Sequence, residues 1–186
     1  MRAFRIVLAA ALAVGCLHVA LPAASRAAEG DGETLGETLR RYGHGNWVVV
    51  ADMSFPALAR PGVKTIYVGG DHLKIIGNVL KLVDQAPHVK GVLHVCQELG
   101  AVSDAEAPGI EQMREQMAAA AKERTVRTAP REDLMQEFER AAGRYQVLVL
   151  KTDTKLPFTS LFIELKSVYW NEEPQIPTRG SRRPRH

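Results

Sequence analysis

The sequence predicts an α/β protein with a largely parallel or mixed sheet. Three observations carry this. Short apolar runs at 48–51, 65–68, 89–95, 146–150 and 161–165 have the length and β-branched content of strands. Other stretches repeat apolar residues at helical spacing: Leu73, Ile76, Leu80 and Val83; Ile110, Met113 and Met117; Leu134, Phe138 and Ala141. The two kinds of stretch alternate, which is the order expected when helices cross over a sheet.

Each element has its own punctuation. Leu35, Leu39 and Tyr42 mark a short first helix that Gly43 stops. Pro56 and Pro61–Gly62 form a turn region after the first strand, and the second strand ends at Gly69–Gly70. Asp71 can cap the helix that begins near His72, and Pro87 closes it. Residues 100–109 form an acidic loop. Met113 and Met117 fall on the core-facing stripe of the helix that follows. Thr125 and Val126 suggest a brief strand, and Pro130 suits the first turn of the next helix, which runs to Gly143. Residues 152–157 form a loop before the last strand.

A chain of 186 residues suits one domain with extensions. Residues 1–27 have the pattern of an export signal: Arg2 and Arg5, an apolar core over 6–14 too short to span a bilayer, and Ser25–Arg26–Ala27 before the cut. Export to the periplasm is therefore expected. The alternative is Val14–Gly15–Cys16 as a lipid-attachment site. Residues 28–34 read as a linker, 35–170 as the domain, and 171–186 as a polar, basic tail without a core. Arg2, Arg5 and Arg26 account for the whole net charge of +3, since no acidic residue precedes Glu29. Nothing in this balance calls for a nucleic acid partner, and no membrane span is expected. With Cys16 removed, Cys96 is the sole cysteine, so an intrachain disulfide is impossible and a buried thiol is expected.

The chemistry-bearing stretch is 43–56. His44 sits between Gly43 and Gly45, a strand follows, and Asp52 stands at its carboxyl end before Pro56. In open α/β sheets ligands gather outside the carboxyl ends of strands. This stretch resembles the ribose pyranase / fucose mutarotase family, whose members carry Gly-His-(Gly/Thr)-Asp, an apolar strand and Asp-Ala-x-x-Pro. Asn46 departs from the family's aspartate. The resemblance covers roughly residues 35–166. It implies a three-layer α/β/α sandwich, a ring-like homo-oligomer, a monosaccharide ligand and no cofactor.

The resemblance also implies roles. His44 is the expected catalytic residue, and Asp52 the expected sugar-binding carboxylate. Opening and reclosing an aldose ring needs a group that exchanges protons near neutral pH, for which imidazole is suited. A basic substrate-binding residue is expected ahead of the late helix: Arg131, with Arg127 as the substitute. The family's Tyr-(Ala/Gly)-Asn is replaced by Phe158–Thr159–Ser160, so Phe158 keeps a ring without a hydroxyl and Ser160 a small polar group without an amide. Asp52 is equally suited to forming a turn before Pro56. Eight fully extended residues span at most ~28 Å. Either the His44 loop folds back along the strand, or two subunits share one site.

Other chemistries find little support. His94 and Cys96 would share a strand face, but no further metal ligand has recognisable spacing, and no metal site is expected. There is no nucleophile elbow and no phosphate-binding glycine pattern. The leading reading is a mutarotase- or pyranase-like isomerase acting on a monosaccharide. The alternative is a non-catalytic sugar- or polyol-binding module on the same scaffold. A ring with a purely structural role is the third.

Overall fold

The computed structural model describes residues 34–169. The expected signal segment, most of the linker and the basic tail lie outside the described residues. The elements are α1 (Leu35–Arg41), β1 (Trp47–Ala51), β2 (Val63–Tyr67), α2 (His72–Asp84), β3 (Val89–Cys96), a 3-10 turn (Gln97–Gly100), α3 (Ile110–Ala120), β4 (Thr125–Ala129), α4 (Arg131–Ala142), β5 (Val147–Lys151) and β6 (Leu161–Ser167). No helix among them is long and apolar enough to cross a membrane.

The six strands form one sheet in the order β2-β5-β1-β6-β3-β4. β5 pairs in parallel with β1 and β2, and β3 pairs in parallel with β4. β6 lies antiparallel between β1 and β3. Five strands therefore run one way and β6 alone runs the other, giving the mixed, largely parallel sheet of an α/β fold.

Alternation along the strands splits the core into two layers. Val48, Val50, Leu148, Leu150, Ile163 and Leu93 pack against α1, α2 and α3. Trp47, Val49, Ala51, Val147, Val149 and Phe162 pack against α4 through Leu134, Phe138 and Ala142. β1 is buried along its whole length because both faces are covered. Phe55, Phe138 and Phe162 meet edge to face with centroids 5.8–5.9 Å apart, fastening α4 and the loop after β1 to the sheet. The position that continues the α4 stripe is Ala142, one residue past the expected Ala141.

Helix starts follow from side chains that accept backbone N–H groups. Thr34 and Glu37 form a capping box on α1. Asp71 caps α2 by accepting from the Lys74 N–H at 2.9 Å, after a turn in which Gly69 and Gly70 both have positive φ. Pro130 stands at the cap position of α4 rather than inside its first turn. It has no side-chain acceptor, and Glu98 supplies one from the 3-10 turn, receiving the Arg131 N–H at 2.9 and 3.0 Å. β4 runs to Ala129, longer than the brief strand expected, because its backbone pairs with β3 even though its side chains are largely exposed.

Gly62 leads into β2 where a side chain would have no room. A Cβ there would meet the carbonyl oxygens of Ala142 and Tyr145 at 2.6 and 2.8 Å. Backbone cannot swing aside as a flexible side chain can. Gly62→Ala is expected to destabilise the domain by about 1–3 kcal/mol, the usual cost of overpacking. Urea denaturation measures it; an unchanged midpoint would contradict this packing.

Candidate functional site

The topology gathers particular residues at one edge of the sheet. The carboxyl ends of β1, β3, β4 and β5 point there, and so does the amino end of antiparallel β6. Asp52 follows β1, Cys96 ends β3, Arg131 follows β4, Lys155 follows β5, and Phe158 and Ser160 precede β6. Between them lies a pocket of about 160 Å³. A cavity of ~150 Å³ takes a benzene-sized guest, so the space suits one small ring. Its polar lining is Asp52, Ser54, Ser160, Arg131 and Lys155. The rest of the wall comes from Phe55, Phe158, Phe162, Met135, Pro157 and Cys96.

Asp52 is 8 % exposed and fixed on three sides. Its Oδ2 accepts from the Ser160 hydroxyl at 2.7 Å, and its own N–H donates to Ser160 Oγ at 3.0 Å. Its Oδ1 accepts from the Ser54 N–H at 2.8 Å, which is the turn-forming contact anticipated for an aspartate before Pro56. Asp52 is thus both a turn-former and part of the pocket lining. Ser160 turns its hydroxyl onto Asp52, bracing the first strand against the last.

Phe158 has φ of 60°, a left-handed backbone that only glycine adopts freely. Such a residue costs of order 1–3 kcal/mol and persists only where its surroundings enforce it. Its ring packs against both apolar layers while lining the pocket. Arg131 reaches the pocket from the first residue of α4. Arg127 does not: it lies on edge strand β4, opposite His94. Cys96 is buried in the pocket wall, and its thiol is pushed up to about 11, chiefly by burial and then by Glu98, so it stays protonated near neutral pH.

His72 lies behind this edge. It is 3 % exposed, and both ring nitrogens are engaged. Nε2 is 2.9 Å from the Thr159 carbonyl oxygen, and Nδ1 is 2.7 Å from Thr152 Oγ1. Thr152 Oγ1 also lies 3.1 Å from the Ala51 carbonyl oxygen. One imidazole therefore joins α2 to the residues beside Asp52 and Ser160. Burial holds it below its ordinary value of 6.5, with the Thr159 carbonyl and Asp52 opposing.

His44 is elsewhere. It precedes β1, at the opposite edge of the sheet, where its Nδ1 accepts from the Ser167 N–H at 3.3 Å. Gly45 has φ of 87° and lies over the Tyr145 ring, with a would-be Cβ only 2.6 Å from it, so no side chain fits. The Gly45 N–H donates to the Leu165 carbonyl at 2.9 Å, pinning the loop beside β6. Asn46 accepts from the Gly43 N–H and donates its amide to the Gln146 carbonyl at 3.1 Å. An ionised aspartate would have no hydrogen for that second bond. The loop does not fold back: β1 alone separates His44 from Asp52 by about 13 Å of strand. One protomer cannot place both on a single monosaccharide.

Of the five residues expected at the site, the structure brings together Asp52, Arg131, Phe158 and Ser160, and leaves His44 apart. Ser54, Lys155 and Pro157 went unread because loops carry no periodicity, and Met135 because it lies on α4 beside the apolar stripe of Leu134 and Phe138. The loop residues could have been found by following what comes next after each strand's carboxyl end. His94 and Cys96 do share a face, but the His94 ring stacks on Trp47 at 4.9 Å and its Nε2 lies 3.4 Å from Glu164. Among the described residues no group of three or more His, Cys, Asp or Glu is placed to hold a metal.

By sequence the chain matches no protein-family model and no curated protein. By structure it is similar to the fucose mutarotase of Streptococcus pneumoniae solved with L-fucose. The TM-score is 0.51 at 20 % identity, over 77 % of this chain and 96 % of that one. The chain has the fold of the ribose pyranase and fucose mutarotase family. RbsD of Bacillus subtilis, solved with D-ribose, is similar at 13 % identity and a TM-score of 0.49, over 70 % of this chain and 88 % of that one. A putative sugar binding protein, Atu2016, matches at 18 % identity and a TM-score of 0.48, over 79 % of this chain and 95 % of that one. On this mutarotase fold the Asp52 pocket occupies the position that open α/β sheets reserve for ligands.

Proposed function

We propose that the protein binds a monosaccharide in the Asp52 pocket and interconverts its ring or anomeric forms. The observation that carries this reading is the buried Asp52 carboxylate, locked by Ser160 and Ser54 at the floor of a ring-sized pocket on a mutarotase fold. A carboxylate so held is a preorganised acceptor for sugar hydroxyls, and the aromatic wall offers faces for C–H surfaces. Arg131 would hold a further hydroxyl. The proton carrier would be His44 of a neighbouring subunit in a homo-oligomer, since separation along β1 prevents its acting on the same protomer's pocket. No cofactor is needed for this chemistry.

A second reading has its own support. The Ser160 hydroxyl is already engaged by Asp52, and Phe158 has no hydroxyl, so two groups that could hold a reacting sugar are missing. On this reading the pocket binds a sugar without turning it over. Saturation-transfer NMR with a panel of monosaccharides separates the two. Catalysis predicts transfer between the two anomeric protons above the spontaneous rate; a binding module predicts saturation of the sugar with exchange unchanged. Absence of binding by every sugar in the panel would end both.

A further inference from the structure

We infer that the preferred ligand is a monosaccharide bearing a carboxylate, of the uronate class. This rests on the sugar-binding reading and narrows it. The pocket's supply of donors and acceptors leads there. Each Asp52 oxygen already receives one hydrogen bond, so the floor has lone pairs for only one or two ligand hydroxyls. The Ser160 hydroxyl is engaged in both directions. Against this stand two cations. Arg131 carries five N–H hydrogens on its guanidinium and Lys155 three on its ammonium. Arg131 makes its hydrogen bonds through the main chain, and neither side chain has a hydrogen-bond or ion-pair partner among the described residues.

A neutral sugar offers hydroxyls to these groups but no charge. A carboxylate on the sugar ring offers two coplanar oxygens, which match a guanidinium fork, and a full counter-charge. Charge also fixes the orientation. Asp52 at the floor repels a second carboxylate, so the ligand's acid group points outward, to Arg131 and Lys155 at the exposed rim, while its hydroxyls point inward. Glu98 is a further anion nearby. It sits against the Arg131 N–H at the start of α4 and lines a separate depression with Pro130. Its charge also reaches Cys96 in the pocket wall, so like Asp52 it turns a ligand's acid group away from that side. Because both cations are exposed, the preference they confer is modest and falls with salt.

The test compares galacturonate with galactose, and glucuronate with glucose, binding to the full chain near neutral pH. Each uronate is expected to bind at least about tenfold tighter than its neutral partner at low ionic strength, a preference worth about 1.4 kcal/mol. The ratio is expected to shrink toward one in about 0.5 M NaCl and in the Arg131→Gln/Lys155→Gln double variant. Both positions are exposed, so the variant should keep the wild-type urea midpoint. A uronate that binds no tighter than its neutral partner overturns the inference and leaves the sugar reading standing. Acetate or inorganic phosphate displacing the uronate at matched concentration also overturns it, since the site would then recognise any anion. If neither neutral nor acidic sugars bind, both readings fall together.

Discussion

Replacing His44 by alanine is expected to slow catalysed anomer exchange by about 10²-fold or more while changing sugar affinity much less. The histidine's contacts explain why the substitution is informative. Its one hydrogen bond among the described residues is to the Ser167 N–H near the end of β6, and the loop is held independently by Gly45 and Asn46. The fold should therefore survive. Asp52→Ala has the opposite profile, with affinity lost first, because the carboxylate lines the pocket. The two variants together test where the histidine acts. If each site combines His44 of one subunit with Asp52 of another, oligomers reassembled from equal amounts of both variants contain intact pairs at roughly a quarter of their junctions. Exchange should recover to about that fraction. Equal exchange in wild type and His44→Ala would end the catalytic assignment, and absence of recovery in the mixture would rule out sharing.

The second large effect concerns His72. Nε2 faces a carbonyl, which can only accept, so Nε2 carries a proton. In the neutral ring, Nδ1 then accepts from the Thr152 hydroxyl. Removing this imidazole strands a buried carbonyl and leaves a cavity behind the pocket, so His72→Ala is expected to cost about 2–4 kcal/mol. Burial holds the ring's folded-state pKa below its ordinary 6.5. The unfolded chain therefore binds the proton more readily. Stability from this group is complete above pH 6.5 and is lost as pH falls from there toward the lower folded value. Protonation would also force Thr152 to turn its hydrogen toward the Ala51 carbonyl. Urea midpoints across this window should slope downward on acidification in wild type and lose that component in His72→Gln. An identical slope in both would show that His72 does not titrate on unfolding.

How much of this was legible in the sequence depended on whether the information was local. Strands such as β1 and β5 declared themselves through consecutive valines and leucines, since both faces are buried. Asp71 and Gly69–Gly70 announced the start of α2 through cap and turn chemistry. Asp52 was visible because it ends a strand, and Phe158 and Ser160 because they precede one. The insertion of β6 between β1 and β3 was not visible, because nothing in an apolar run specifies its neighbours. Nor was the separation of His44 from Asp52 settled: the residue spacing allowed a fold-back that the Gly45–Leu165 hydrogen bond excludes. His72 passed as the first residue of a helix, since its role depends on Thr152 and Thr159, some eighty residues later.

The strand order also dictates a timetable. β1 pairs only with β5 and β6, and β2 only with β5. A growing chain can zip β3 to β4, but its first two strands have no neighbours until residues 147–151 arrive. Even then two separate ribbons exist, β2-β5-β1 and β3-β4, with nothing between them. The last strand to be made is the one that stitches them into a sheet. Any chain cut before Leu161 would carry four open edges in place of two, each a template for unwanted pairing. Such delayed, sequence-distant closure makes for slow folding and a long exposure of unpaired strands.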